Sequence, residues 1–168
     1  APLLAGGLYG QHHHVRLDLP SDFDRLARLI TGHAVGVVMA GGGARSFAHI
    51  GAIKALRAAG VPIDQTGGTS MGAIVAAGVA ARWSDEELRD RFRVAFVEAN
   101  PLSDYTLPFV SLFAGRRVTR LLRMAFGEKD IEDLILPYFC VTANLTTSNA
   151  DAHTNGALWR WLRASVSL

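Results

Sequence analysis

The apolar positions of this chain change period several times, and each change marks an element. From Ser21 to about Gly32, Leu26, Leu29 and Ile30 recur at helical spacing, Ser21-x-x-Asp24 can serve as a capping pair, and Gly32 closes the turn. Ala34 to Ala40 is instead an unbroken apolar and β-branched run, which predicts a strand covered on both faces, as in a parallel sheet. Gly41-Gly42-Gly43 stops it. Helical spacing returns from about Phe47 to Ala59, with Ile50, Ile53, Ala55 and Leu56 expected inward and Gly60 at the end. Val61 to Ile63, extended at most to Gln65 and Thr66, reads as the next short strand. Met71 to Arg82 is so uniformly small and apolar that it predicts a helix buried among neighbours, and it is too short for a lipid-facing span.

Beyond it the pattern becomes polar. Ser84-x-x-Glu87 is a second capping box, opening a charged amphipathic helix to about Ala99, where Asn100-Pro101 breaks it. Residues 101–115 hold Leu102, Tyr105, Leu107, Phe109, Val110, Leu112 and Phe113 without a firm period, so they either cover the core or line a pocket. Arg116, Arg117, Arg120 and Arg123 oppose Val118, Leu121, Leu122 and Ala125 on one helix, which suits a core-packed helix with a solvated back or one lying on an anionic membrane. Tyr138 to Ala143 reads as a strand turning through Ser148-Asn149-Ala150-Asp151 into a short return, and Leu158, Trp161 and Leu162 predict a helix from Ala157 to about Ser165. Strand, loop, helix, strand, tight turn, helix is the α/β order.

Composition narrows the class. A chain of 168 residues, 49% of them hydrophobic, can bury the core of one domain. Its formal charge is +2, and Lys54 and Lys129 are its only lysines, a bias toward bidentate anion contacts that is too weak to argue a nucleic-acid partner. The lone Cys140 excludes an internal disulfide and makes a reduced, cytoplasmic setting the default. Residues 1–20 are Gly-rich and begin with neither Met nor a charged segment, so they read as a linker or a segment arriving from an internal cut, with the domain at 21–168. His12-His13-His14 are consecutive and do not converge on one ion from a regular element, so no metal and no role is expected of them.

Two stretches carry chemistry. Gly68-Thr69-Ser70-Met71-Gly72 fits Gly-x-Ser-x-Gly, in which a serine rides a sharp strand-to-helix turn beside glycines that admit a close backbone. Gly41-Gly42-Gly43-Ala44-Arg45 follows a strand and can present several backbone N–H donors to an oxyanion. A competing reading takes Gly41-x-Gly43-x-x-Ser46 as a dinucleotide or phosphate loop with Asp64 as its ribose acid. It departs at Ser46, where Gly or Ala is wanted, and leaves Ser70 unexplained.

Gly41 to Gly51, Gly60-Val61-Pro62-Ile63-Asp64 and Gly67 to Gly72 resemble the patatin-like phospholipases, in particular their neuropathy-target-esterase branch. So do Ile131 to Leu134, Pro137-Tyr138-Phe139, His153 to Gly156 and Trp159 to Ser165; the resemblance runs from about residue 12 to the end. It implies a three-layer α/β/α sandwich with a mainly parallel sheet, and a serine esterase acting on phospholipid or lysophospholipid esters through a Ser-Asp dyad without a cofactor. Ser70 would be the nucleophile within the elbow Gly68, Met71 and Gly72. The Gly42, Gly43 and Ala44 amides, with Arg45 near them, would form the oxyanion hole. The family's dyad aspartate begins an Asp-Gly pair downstream of the Arg-Ala-Ser segment, here Arg163-Ala164-Ser165, and this sequence contains no Asp-Gly pair. The expectation is a domain truncated at its C-terminus and of little activity. Asp151 and His153 could complete a triad with Ser70, whereas a structural role is the simpler reading of His49 and His153, and a loop or cap role that of Asp64, Asp104, Asp130 and Asp133. A silent scaffold binding lipid through residues 101–125 is a further alternative; contact through the four arginines would put the protein peripherally at a membrane.

Overall fold

A computed structural model of the chain describes residues 12–94 and 116–167. The elements are α1 (Pro20–Ile30), β1 (Gly36–Met39), a 3-10 turn (Gly43–Ser46), α2 (Phe47–Ala58), β2 (Gln65–Thr69), α3 (Ser70–Ala80), α4 (Asp85–Arg93) and α5 (Arg116–Phe126). A second 3-10 turn (Ile131–Asp133), β3 (Tyr138–Asn144), β4 (Asn149–His153) and α6 (Leu158–Ser165) complete them. The strands form one sheet in the order β1-β2-β3-β4. The first three are parallel, with Met39 opposite Gly68 and Thr69 opposite Val141, and β4 returns antiparallel along β3. The chain thus has the mixed α/β fold and mainly parallel sheet that its alternating pattern predicts.

The sheet is organised on α3. Every residue from Gly72 to Ala80 is buried, because small side chains let this helix lie against strands and helices at once. The Tyr138 hydroxyl donates to the Ala73 carbonyl at 3.0 Å and Thr66 Oγ1 donates to the Ala76 carbonyl at 2.9 Å, tying β3 and β2 to it. At Gly78 a β-carbon would lie 2.6 Å from the Trp83 ring, so glycine there admits the indole. Trp83 stacks on Phe126 with centroids 4.8 Å apart, which seats α5. That helix buries Leu122 and Phe126 and leaves Arg116, Arg117, Arg120 and Arg123 exposed. It is packed on the core with an arginine back.

Ser84 and Glu87 form the expected box: Ser84 Oγ accepts the Glu87 N–H and Glu87 Oε2 accepts the Ser84 N–H. Five expectations need correction. Ser21 does not cap α1, which begins at Pro20, where proline's fixed φ suits the first helical position. The buried face of α1 is Asp22 and Arg25 rather than its periodic apolar residues, and Ile30 is 75% exposed. Among the described residues β1 stands at the end of the strand order, and its Val38 is 69% exposed, so it is not covered on both faces there. The second strand is Gln65–Thr69, not Val61–Ile63, and Ala55 of α2 faces outward. The apolar stretch 101–115, with Asp104, lies outside the described residues, as do residues 95–99 of the helix predicted to run to about Ala99.

An ion network explains the inverted face of α1. Arg16 forks Asp22 at 2.8 and 3.0 Å, and Arg25 and Arg82 approach the same carboxylate at 3.9 and 3.7 Å. Arg28 forks Asp64 at 2.9 and 2.7 Å, and Asp64 also accepts the Val35 N–H. A buried charge is tolerated only with such partners. His12 and His14 each donate from Nε2 to the Glu132 carbonyl, at 2.9 and 2.7 Å, so this stretch lies against the turn before β3.

Candidate active site

β2 runs into α3 with no intervening residue, and Ser70, at that junction, has φ +52°. A residue with a β-carbon adopts this left-handed region only when its surroundings hold it there. Here the surroundings are glycine. A β-carbon on Gly68 would lie 2.6 Å from the Met39 carbonyl oxygen, and one on Gly72 would lie 2.4 Å from the Met39 and Ala40 oxygens. The two glycines of the motif are therefore contact surfaces for the end of β1, and they allow the strand-to-helix turn to be this tight. Met71 packs half-buried against the core. Ser70 itself is half-buried.

The glycine loop passes beside it. A β-carbon on Gly41 would be 3.0 Å from Ser70 Cβ and 3.7 Å from Ser70 Oγ. Gly43, at φ +55°, turns the chain into the 3-10 turn that leads to α2, and the Arg45 N–H closes that turn on the Gly42 carbonyl at 3.1 Å. The Arg45 amide is thus committed, while those of Gly42, Gly43 and Ala44 precede the first helical acceptors. All of these residues and the Arg45 side chain are exposed. His49 donates from Nε2 to the Ala40 carbonyl at 2.9 Å, which pins the root of the loop to α2. Ser46 is 1% exposed, and among the described residues its hydroxyl lacks a partner.

A third element reaches the same point. The Ser70 N–H donates to Ser165 Oγ at 2.7 Å, and the Ser165 hydroxyl donates to the Val141 carbonyl at 2.6 Å. Nothing in the pattern along the chain announces this contact, since the partners are 95 residues apart.

The acids and histidines are engaged elsewhere. Among the described residues no carboxylate or imidazole is hydrogen-bonded to Ser70 Oγ. Asp151 accepts from Asn144 Nδ2 at 2.9 Å. His153 pairs with Thr142 Oγ1 at 2.7 Å and stacks on Trp161 with centroids 3.6 Å apart. Ser70, Asp151 and His153 are therefore not assembled as a triad. Asp64, the acid that a dinucleotide loop needs, is 1% exposed and held by Arg28 and Val35. Asp133 accepts the Asp130 N–H at 2.9 Å as a local cap. Cys140 is buried in the core, and that burial pushes its thiol up. Among the described residues no three His, Cys, Asp or Glu side chains converge as a metal ligand set, and no helix is long and apolar enough to cross a membrane.

The sequence that builds this arrangement is similar to that of known proteins. Patatin-like phospholipase domain-containing protein 6 of Mus musculus is 43% identical over 167 residues, covering 96% of this chain and 12% of that protein, and the Homo sapiens protein matches to the same extent. Neuropathy target esterase sws of Drosophila persimilis is 42% identical over 162 residues, covering 90% of this chain and 11% of that protein. The chain thus spans about an eighth of the length of these relatives. The patatin-like phospholipase family profile matches residues 37–168, from β1 through both glycine-bearing turns to α6. By that match and those relatives, the chain belongs to the patatin-like phospholipase family, on its neuropathy-target-esterase branch.

Proposed function

We infer that the domain serves a lipid ester hydrolase in which Ser70 attacks the carbonyl carbon of a phospholipid or lysophospholipid acyl ester. The observation that carries this reading is the apposition of Ser70, held at φ +52°, and the Gly41 loop, close enough that a β-carbon on Gly41 would touch it. Attack by Ser70 Oγ places negative charge on the carbonyl oxygen, and the Gly42, Gly43 and Ala44 amides, which directly follow Gly41 along the chain, are the candidate donors to it. Arg45 adds positive charge beside them. Such preorganised donors supply the largest single term in acyl transfer. Collapse of the intermediate expels the alcohol and leaves an acyl-Ser70 ester, which water then hydrolyses. The serine proton needs an acceptor, and we assign that role to an aspartate outside these 168 residues, since the chain has no Asp-Gly pair.

Peripheral membrane contact through the exposed Arg116, Arg117, Arg120 and Arg123 fits a lipid substrate, because cationic side chains gain from an anionic headgroup plane. The test of the nucleophile is labelling of the full-length protein with a fluorophosphonate. Stoichiometric labelling that vanishes in Ser70→Ala supports the assignment. Labelling that survives this substitution sinks it.

A further inference from the structure

We propose that Ser165 is a positioning residue for Ser70: its hydroxyl holds the backbone amide of the nucleophile and so fixes where Ser70 Oγ stands. The proposal rests on the reading of Ser70 as the nucleophile and adds to it a residue 95 positions away.

Ser70 is the first residue of α3, so its N–H has no acceptor within the helix. It meets Ser165 Oγ at 2.7 Å instead. A serine hydroxyl carries one proton, and that of Ser165 goes to the Val141 carbonyl at 2.6 Å, so toward Ser70 the oxygen acts as acceptor. Val141 stands opposite Thr69 in the ladder between β2 and β3, and Thr69 precedes Ser70. The contacts close a ring from Ser70 to Ser165, to Val141, across the ladder to Thr69 and back along the chain. Such a ring over-determines the left-handed conformation of Ser70, which a residue with a β-carbon does not otherwise keep. The hydroxyl is delivered from the last turn of α6, whose Leu158 and Leu162 are 0% exposed. The anchor is therefore as rigid as the core.

A merely structural Ser165 would alter how much protein is folded, whereas a positioning Ser165 alters how fast each folded copy reacts. Full-length wild type, Ser165→Ala, Ser165→Thr and Ser70→Ala are reacted with a fluorophosphonate, and both the rate constant and the final stoichiometry are read. Ser165→Ala is expected to slow labelling about 10- to 100-fold at unchanged stoichiometry, and Ser165→Thr, which keeps the oxygen, to stay within about threefold of wild type. Wild-type rates in Ser165→Ala, a Ser165→Thr as slow as Ser165→Ala, or stoichiometry falling in step with rate each overturn the proposal. Labelling that persists in Ser70→Ala is a separate failure, that of the nucleophile reading. Should Ser165→Ala not fold, Ser165→Cys replaces it, since sulfur is a weak acceptor: labelling at least about tenfold slower than in Ser165→Thr is expected, and equal rates overturn the proposal.

Discussion

Gly72 is packed so closely on the end of β1 that a β-carbon added to it would stand 2.4 Å from the Ala40 carbonyl oxygen. The atom it would meet is backbone, so no side-chain rotation relieves the clash, and β1 would have to part from α3. Because Ala40 leads into the glycine loop, the same shift would carry that loop away from Ser70. Gly72→Ala is expected to lose about 3 kcal/mol or more in urea unfolding and to react poorly with a fluorophosphonate. Gly51 is the matched control: it lies exposed in α2 with open space where a β-carbon would go, so Gly51→Ala is expected to gain about 0.5–1 kcal/mol. Equal stability of the two variants would refute the packing argument.

The buried hydroxyl of Ser46, beside the candidate oxyanion loop, has no hydrogen-bond partner among the described residues. Removing a polar group that has no hydrogen-bond partner recovers part of its desolvation cost. Ser46→Ala is expected to raise stability by about 1 kcal/mol, read as a higher denaturant midpoint. A lower midpoint would mean that the hydroxyl has a partner in solution.

Acid should unfold the protein through the network under α1. The Arg16 guanidinium that forks Asp22 holds its carboxyl well below the usual range, in spite of burial. At Asp64 burial pushes the other way, but the Arg28 fork and the Val35 N–H outweigh it, so that carboxyl also lies low. A carboxyl with a depressed folded pKa contributes stability that is fully present above its unfolded value of about 3.9 and is lost as pH falls toward the folded value. Tm is therefore expected to be level with respect to these groups above about pH 5 and to fall below it. Asp22→Asn should cost about 3 kcal/mol at pH 7, because it leaves Arg25 buried without its counter-charge, and should make the acid limb shallower. An acid limb unchanged from wild type would exclude Asp22 from it.

We propose that the exposed Arg116 and Arg120 of α5 serve membrane contact rather than folding. Arg116→Gln combined with Arg120→Gln is expected to weaken binding to anionic vesicles about fivefold per charge removed. Binding to neutral vesicles and Tm should stay as they are. Undiminished binding to anionic vesicles would remove α5 from the membrane surface.

Residues 1–168 by themselves offer Ser70 no hydrogen-bonded base among the described residues. Their kcat on a soluble ester is expected to be about 10²- to 10⁴-fold below that of the full-length protein, the usual contribution of a general base. Comparable turnover would mean that the base lies within this chain.

Much of the site could be read along the chain because its parts are local. A strand-ending glycine run and a Gly-x-Ser-x-Gly turn announce themselves within a few residues, as do the capping box at Ser84 and Glu87 and the small-residue stripe of α3. β2 could not be read in the same way. Gln65-Thr66-Gly67-Gly68-Thr69 has no large apolar residue and two adjacent glycines, since as an inner strand it yields its side-chain space to Phe139 on one side and to β1 and α3 on the other.

The sequence by itself determined the α/β order, the family, and the residue types that stand at the two glycine turns, all of which are properties of neighbours along the chain. Only the tertiary structure decided which of those neighbours meet. It brought Gly72 under Ala40, buried Asp22 and Arg25 where a periodic apolar face would have served, and committed Asp151 and His153 to other partners. It also placed the Ser165 hydroxyl on the Ser70 amide. Periodicity reports which face of an element is apolar, whereas contacts between residues far apart in sequence exist only once the strands have set their register and the helices have packed.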